Sequence, residues 1–149
     1  MDTITIRNAA LTDAERIAEL ANELGYPTVP GQMRERLRRL LGTDGHVVMV
    51  AEEAGQVLGW MHVRLRPQLT SSDLAEVDGL IVAAQHRGRG IGERLLRAAE
   101  AWSVERGCRQ LMICSNATRE DAANFYARVG YRHLKVWRVF VGDLAGPRS

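Results

Sequence analysis

The sequence predicts an α/β (α+β) fold, and three observations carry that expectation. Four stretches repeat apolar residues at helical spacing. Two β-rich runs, HVVMVAEE and QVLGWMHVRLRP, meet through Ala54-Gly55 and read as an antiparallel hairpin. A glycine-rich stretch, QHRGRGIG, stands where the apolar run LIVAA hands over to the leucine-rich ERLLRAAEAW. At 149 residues, 46% hydrophobic and 26% charged, the chain has the balance of one folded domain, expected to span residues 1–149.

The elements follow in order. TITIR is a short alternating strand. Thr12 is placed to cap the first helix, with Glu15 reaching back as its capping-box partner, and Ile17, Leu20, Ala21 and Leu24 form the inward stripe that Gly25 ends. After the turn GYPTVPG, a second helix carries Met33, Leu37, Leu40 and Leu41 inward and an arginine cluster outward, stopping at Gly42. The hairpin follows, closed by Pro67, and AEVDGLIVA resumes as a strand feeding the glycine-rich stretch. Leu95, Leu96, Ala99 and Trp102 mark a third helix, RQLMICS a buried strand, and Ala122, Phe125, Tyr126 and Val129 a fourth helix ending at Gly130. YRHLKVWRVFVGDL reads as a final β segment, whose apolar VWRVFV fits an inner strand or the seam of a homodimer.

Composition excludes several classes. A net charge of +2 is too small to imply nucleic acid as the main partner, and no apolar run approaches the roughly 20 residues needed to span a bilayer. MDTITIRN lacks the apolar region of a secretory signal, so a soluble, cytoplasmic protein with no membrane partner is expected. Cys108 and Cys114 match neither a zinc spacing nor a C-x-x-C pair and read as reduced thiols. His46, His62, His86 and His133 are scattered without a ligand motif, so no metal is expected.

Closely spaced glycines let backbone amides point one way, and a helix N-terminus adds unpaired N–H groups and a positive dipole end. QHRGRGIG therefore reads as a phosphate cradle. It is not the dinucleotide fingerprint, because Glu93 stands where the third glycine belongs and Gly92 comes one residue early, and no G-x-x-x-x-G-K-[ST] occurs anywhere. An arginine-rich RNA- or DNA-contacting loop lacks the neighbouring aromatics and broad basic surface it would need.

Gln85-His86-Arg87-Gly88-Arg89-Gly90 resembles the Q/R-x-x-G-x-G/A motif of the GCN5-related N-acetyltransferases (GNAT), and AANFYARVGY resembles their A-x-x-F-Y-x-x-x-G-F/Y segment. The element order is similar to that superfamily from about Thr3 to Leu144. The resemblance implies a mixed, mostly antiparallel central sheet flanked by about four helices, with the fourth and fifth strands splayed. It implies acetyl-CoA as co-substrate and an amine acceptor, small molecule or peptide. The pyrophosphate then lies on Gln85, Arg87, Gly88, Arg89, Gly90, Ile91 and Gly92, with the arginines neutralising charge. Pantetheine lies along Leu80, Ile81 and Val82, whose backbone polarises the thioester, and Asn116 and Asn124 bond pantetheine or phosphate.

Tyr126 shares a helical stripe with Phe125 and Val129, which suits either core packing or a hydroxyl turned toward a site. The resemblance implies the second, as general acid for the leaving thiolate. Glu76 and Asp78 alternate along their strand and share a face, placed either to take an ammonium proton or simply to meet solvent. The family's acceptor pocket maps onto Tyr26, Pro27, Trp60, His62 and Glu76. A non-catalytic acyl-CoA sensor on the same fold is the alternative reading.

Overall fold

The structure, a computed structural model, describes residues 3–115 and 119–145, and the chain divides into two compact units, residues 1–114 and 115–149. The first unit runs β1 (Thr5–Asn8), α1 (Ala14–Glu23), α2 (Pro30–Leu41), β2 (His46–Glu53), β3 (Gln56–Arg66), β4 (Leu74–Val82), α3 (Ile91–Glu105) and β5 (Gln110–Ile113). The strands lie in sequence order in one sheet. The pairs from β1 to β4 are antiparallel and the β4–β5 pair is parallel, the mixed sheet that the sequence leads one to expect.

The hairpin turn has positive φ at both Ala54 (51°) and Gly55 (79°), the backbone that matches a two-residue turn to the twist of its strands. A bulge follows on each side of β3. Ala51 pairs with Gly59 but Glu52 with Val57, and His62 pairs with Gly79 but Val63 with Val77. Asp78 is therefore the extra residue in β4, and the strand is re-aimed there. The β4–β5 register ends at Val77↔Ile113, where β5 itself ends, so the stretch of β4 from Asp78 to Val82 has no β5 partner.

Alternation along the strands divides the core between the two sheet faces. Val48, Val50, Val57 and Ile81 pack with Ile17, Leu20 and Ala21 of α1 and Leu37 of α2, with Trp60 against their edge. Leu20 and Val50 are fully buried, each such aliphatic side chain contributing roughly 1.5–3 kcal/mol. On the other face lie Met61 and Val63, and α3 reaches β3 through Leu95, whose Cδ1 is 3.4 Å from where a Cβ on Gly59 would stand. Leu95, Leu96, Ala99 and Trp102 are all buried, as their spacing predicts.

Two local expectations are corrected. A short 3-10 helix at Leu11–Asp13 precedes α1, and Asp13 rather than Thr12 or Glu15 supplies the capping contact, accepting the Ala10 N–H at 2.7 Å. Asp13 also takes both Arg7 terminal nitrogens, at 2.8 and 3.0 Å, and a carboxylate so engaged outcompetes a hydroxyl cap. Leu41, expected inward, is 46% exposed at the last residue of α2, whereas Leu37 one turn earlier is buried.

The second unit contains α4 (Glu120–Arg128), capped at its end by Gly130 with φ +101°. The strand expected at YRHLKVWRVFVGDL is not formed among the described residues. Val139, Phe140 and Val141 are consecutive and all more than four-fifths exposed, without the alternation of a half-buried strand. β propensity reflects packing against neighbours, and these residues have none to pair with here.

Candidate active site

The glycine-rich stretch is a framed loop. Ala83 N–H donates to Leu58 O at 2.8 Å, and Ala84 N–H donates to the Glu23 carboxylate at the end of α1 at 2.7 Å. After a 3-10 turn at Ala84–His86, Arg87 is extended, and Gly88 (φ +81°) and Gly90 (φ +79°) take the left-handed backbone that glycine alone adopts freely. Gly90 is the N-cap of the 15-residue α3 and has no side chain to cap it, leaving the first amides of α3 directed outward. A Cβ at Gly88 or Gly90 would meet nothing within 4 Å, so the cradle is open. Ile91 is buried and pins the helix start, whereas Gln85 and Arg87 are exposed and Gly92 is half-buried.

Arg89, expected at the phosphate, also has partners within the protein. Its guanidinium grips Glu53 at the end of β2, Nη1 to Oε1 at 3.2 Å and Nη2 to Oε2 at 2.8 Å, and also meets His86 Nδ1 at 3.1 Å. Glu53 additionally accepts the Thr3 hydroxyl, and the Arg89 pair, then Thr3, holds its carboxyl down to about 2. Arg89 thus ties the loop to the hairpin turn. Neither Glu23 nor Glu53 was marked by any sequence signal, since each acts across more than 30 residues.

Along β4, Ile81 is a core side chain, while Leu80 and Val82 are half-buried on the stretch beyond the β5 pairing. Next to them Trp60 lies over Gly79, so closely that a Cβ there would be 2.7 and 2.9 Å from its ring carbons. Its Nε1–H is buried without an acceptor among the described residues.

The same sheet face then turns polar. Arg64 Nη2 meets Glu76 Oε2 at 2.5 Å and Arg64 Nε meets Asp78 Oδ2 at 2.8 Å, so the two carboxylates share a face as their alternation predicts, but converge on one guanidinium. Glu76 is 7% exposed and also lies 3.5 Å from the Cys114 thiol, which burial and then Glu76 push upward. His62 stands beside them, Nδ1 3.9 Å from Asp78 Oδ2 and Nε2 3.0 Å from His46 Nδ1, the two rings stacked at 5.3 Å. Burial is the main influence on His62 and lowers it below the ordinary imidazole range, with Asp78 opposing. Tyr26, in the α1–α2 connection, is 54% exposed.

In the second unit, Tyr126 is half-buried on α4 with its ring edge-to-face against Phe125 at 5.3 Å, and Asn124 is exposed. Asn116 lies outside the described residues.

A mixed sheet of this topology, with an open, uncapped glycine loop at the start of α3, defines an α/β protein. The particular family follows from similarity. Residues 14–131 match the model of the acetyltransferase (GNAT) family, and the chain belongs to it. The chain is 33% identical to the aminoglycoside N(6')-acetyltransferase type 1 of Stenotrophomonas maltophilia over 135 residues, 88% of each chain. It is also 33% identical to the glucosamine 6-phosphate N-acetyltransferase 1 of Oryza sativa subsp. japonica, covering 85% of this chain and 79% of the other. Among solved structures, AAC(6')-Iy in complex with the bisubstrate analogue CoA-S-monomethyl-acetylneamine matches with a TM-score of 0.86 at 18% identity, over 95% of this chain and 99% of that one, a likeness of fold.

Proposed function

We propose that the protein is an N-acetyltransferase that moves the acetyl group of acetyl-CoA directly to a primary amine. The observation that carries this reading is the left-handed, uncapped Gly90 at the head of α3, with open space where its side chain would be. The loop amides from Arg87 to Gly92 and the positive end of α3 take the pyrophosphate. Gln85 and Arg87 add polar and positive side chains from the exposed rim. When bound, the co-substrate supplies an acetyl thioester. The backbone of Leu80, Ile81 and Val82, on the stretch of β4 that pairs with β3 but has no β5 partner, orients it and offers N–H groups to its carbonyl oxygen.

The acceptor ammonium is drawn by Glu76 and Asp78, with Trp60, His62 and Tyr26 shaping the approach. Tyr126 donates its phenolic proton to the departing sulfur, and Asn116 and Asn124 hold the co-substrate by hydrogen bonds. These last roles rest on the AANFYARVGY segment and its resemblance to the family.

The test is release of free thiol from acetyl-CoA across an amine panel containing an aminoglycoside, an amino sugar phosphate, a polyamine and a lysine peptide. Amine-dependent thiol release is expected with at least one. Coenzyme A binding without release on any of them would point instead to an acyl-CoA sensor.

A further inference from the structure

Resting on the acetyl-transfer reading, we propose that His62 is the group that takes the proton from the acceptor ammonium, and that His46 passes it on toward solvent. The carboxylates on this face are poorly placed for that work. Glu76 and Asp78 are both held by Arg64, at 2.5 and 2.8 Å, and Arg66 Nη1 stands 3.8 Å from Glu76 as well. Each carboxylate thus already has a cationic partner on one oxygen before an ammonium arrives. His62 carries no such partner. Its Nδ1 faces Asp78 across 3.9 Å, too far for a hydrogen bond and wide enough to leave the lone pair open to an incoming N–H.

Its other nitrogen leads away from the site. Nε2 is 3.0 Å from His46 Nδ1, across the β2–β3 pairing, and His46 is half-buried at the start of β2 beside the exposed Thr43 and Asp44. The groups that bear on His62 are His46 from β2, Arg64 from β3 and Asp78 from β4, with Glu76 one pleat further along. Burial keeps the imidazole neutral near neutral pH, the state a base requires. Because Nε2 of His62 is spent on His46, the two rings do not converge on a cation, and no group of three or more metal-binding side chains occurs among the described residues.

The step balances as follows. The ammonium N–H bond breaks, its electron pair staying on nitrogen as the attacking lone pair, and the proton joins His62 Nδ1. The imidazolium is stabilised by Asp78. The Nε2 proton of His62 then moves to His46 Nδ1, and His46 loses its own Nε2 proton to water. One proton leaves per turnover, as acetylation of an ammonium with release of a neutral thiol demands; the second amine proton replaces the one Tyr126 gives to the sulfur, and exchange of the ring protons with water returns His62 and His46 to their starting tautomers.

The experiment follows kcat/KM against pH for the best acceptor of the amine panel, in His62→Gln, His46→Gln, Glu76→Gln and Asp78→Asn, with far-UV circular dichroism confirming the fold of each. His62→Gln is expected to lose about 10²-fold near neutrality and to recover partly at high pH, where free amine is abundant. His46→Gln is expected to lose less, and added imidazole buffer should restore it in proportion to concentration, which a purely structural role would not allow. Full activity with an unaltered profile in His62→Gln, or loss of the acidic limb in Glu76→Gln or Asp78→Asn alone, would overturn the proposal while leaving acetyl transfer intact. His62→Asn provides a second variant should the glutamine pack poorly. Absence of acetyl transfer to every amine by the parent protein would instead remove the reading on which it rests.

Discussion

Replacing Gly88 or Gly90 by valine separates the cost to the fold from the cost to the ligand. Both glycines sit near φ +80°, where a β-carbon costs about 1–2 kcal/mol. No clash adds to this, because a Cβ at either position meets nothing within 4 Å. For a chain of this length that penalty lowers Tm by about 2–8 °C, so the variants should remain folded at 25 °C. Ligand binding is affected far more. A branched side chain relieves its strain by rotating the local backbone, which turns loop amides away from the phosphates. Losing two hydrogen bonds to a charged group, each contributing about 1.5–3 kcal/mol, weakens coenzyme A by roughly 10²–10⁴-fold. Isothermal calorimetry with coenzyme A, beside a thermal melt, reads both. Parental affinity in a folded Gly88→Val or Gly90→Val protein would refute the cradle. Gly59→Val is the contrasting control, since its Cβ would stand 2.8 Å from the Ile81 carbonyl oxygen and should damage the sheet itself.

Tyr126→Phe keeps the ring that meets Phe125 and removes only the hydroxyl, so coenzyme A affinity should hold while turnover falls by roughly 10²-fold. Stability should decline as pH falls below about 6.5, measured as Tm against pH. His62 is buried with a lowered pKa, so the unfolded chain binds the proton more readily and stability rises with pH across that range. His62→Gln should flatten this dependence. A second loss is expected at more acidic pH, as protonation removes the Arg7–Asp13 and Arg89–Glu53 pairs, whose carboxyls are held below their ordinary values.

Where local chemistry decides a conformation, the sequence was informative. Helix ends at Gly25 and Gly130, the Ala54-Gly55 turn and the left-handed Gly88 and Gly90 each follow from what one residue type allows its own backbone. The first-helix cap was misjudged because Asp13 and Thr12 offer competing acceptors, and Arg7, six residues away, decides between them. YRHLKVWRVFVGDL carries the composition of a strand, but pairing is a property of a neighbour that composition does not contain. The site shows the same division. The motif marked the left-handed glycines at the start of α3, whereas the Arg89–Glu53 pair, Arg64 taking both carboxylates, and His46 meeting His62 all depend on register between strands. Register is set by the whole sheet, so no spacing along the chain announced that two scattered histidines would share a hydrogen bond.

The central claim is direct transfer from acetyl-CoA to an amine nitrogen, and isotopically labelled acetyl-CoA tests it most directly. Intact-protein mass spectrometry is taken first with acetyl-CoA alone and then with the acceptor added, and the small-molecule products are identified. The account predicts no label on the protein at either stage and label on the amine as an N-acetyl group, formed in proportion to free coenzyme A. Label accumulating on a side chain such as Cys114 before the amine is added, or thiol release without an acetylated amine, would contradict it.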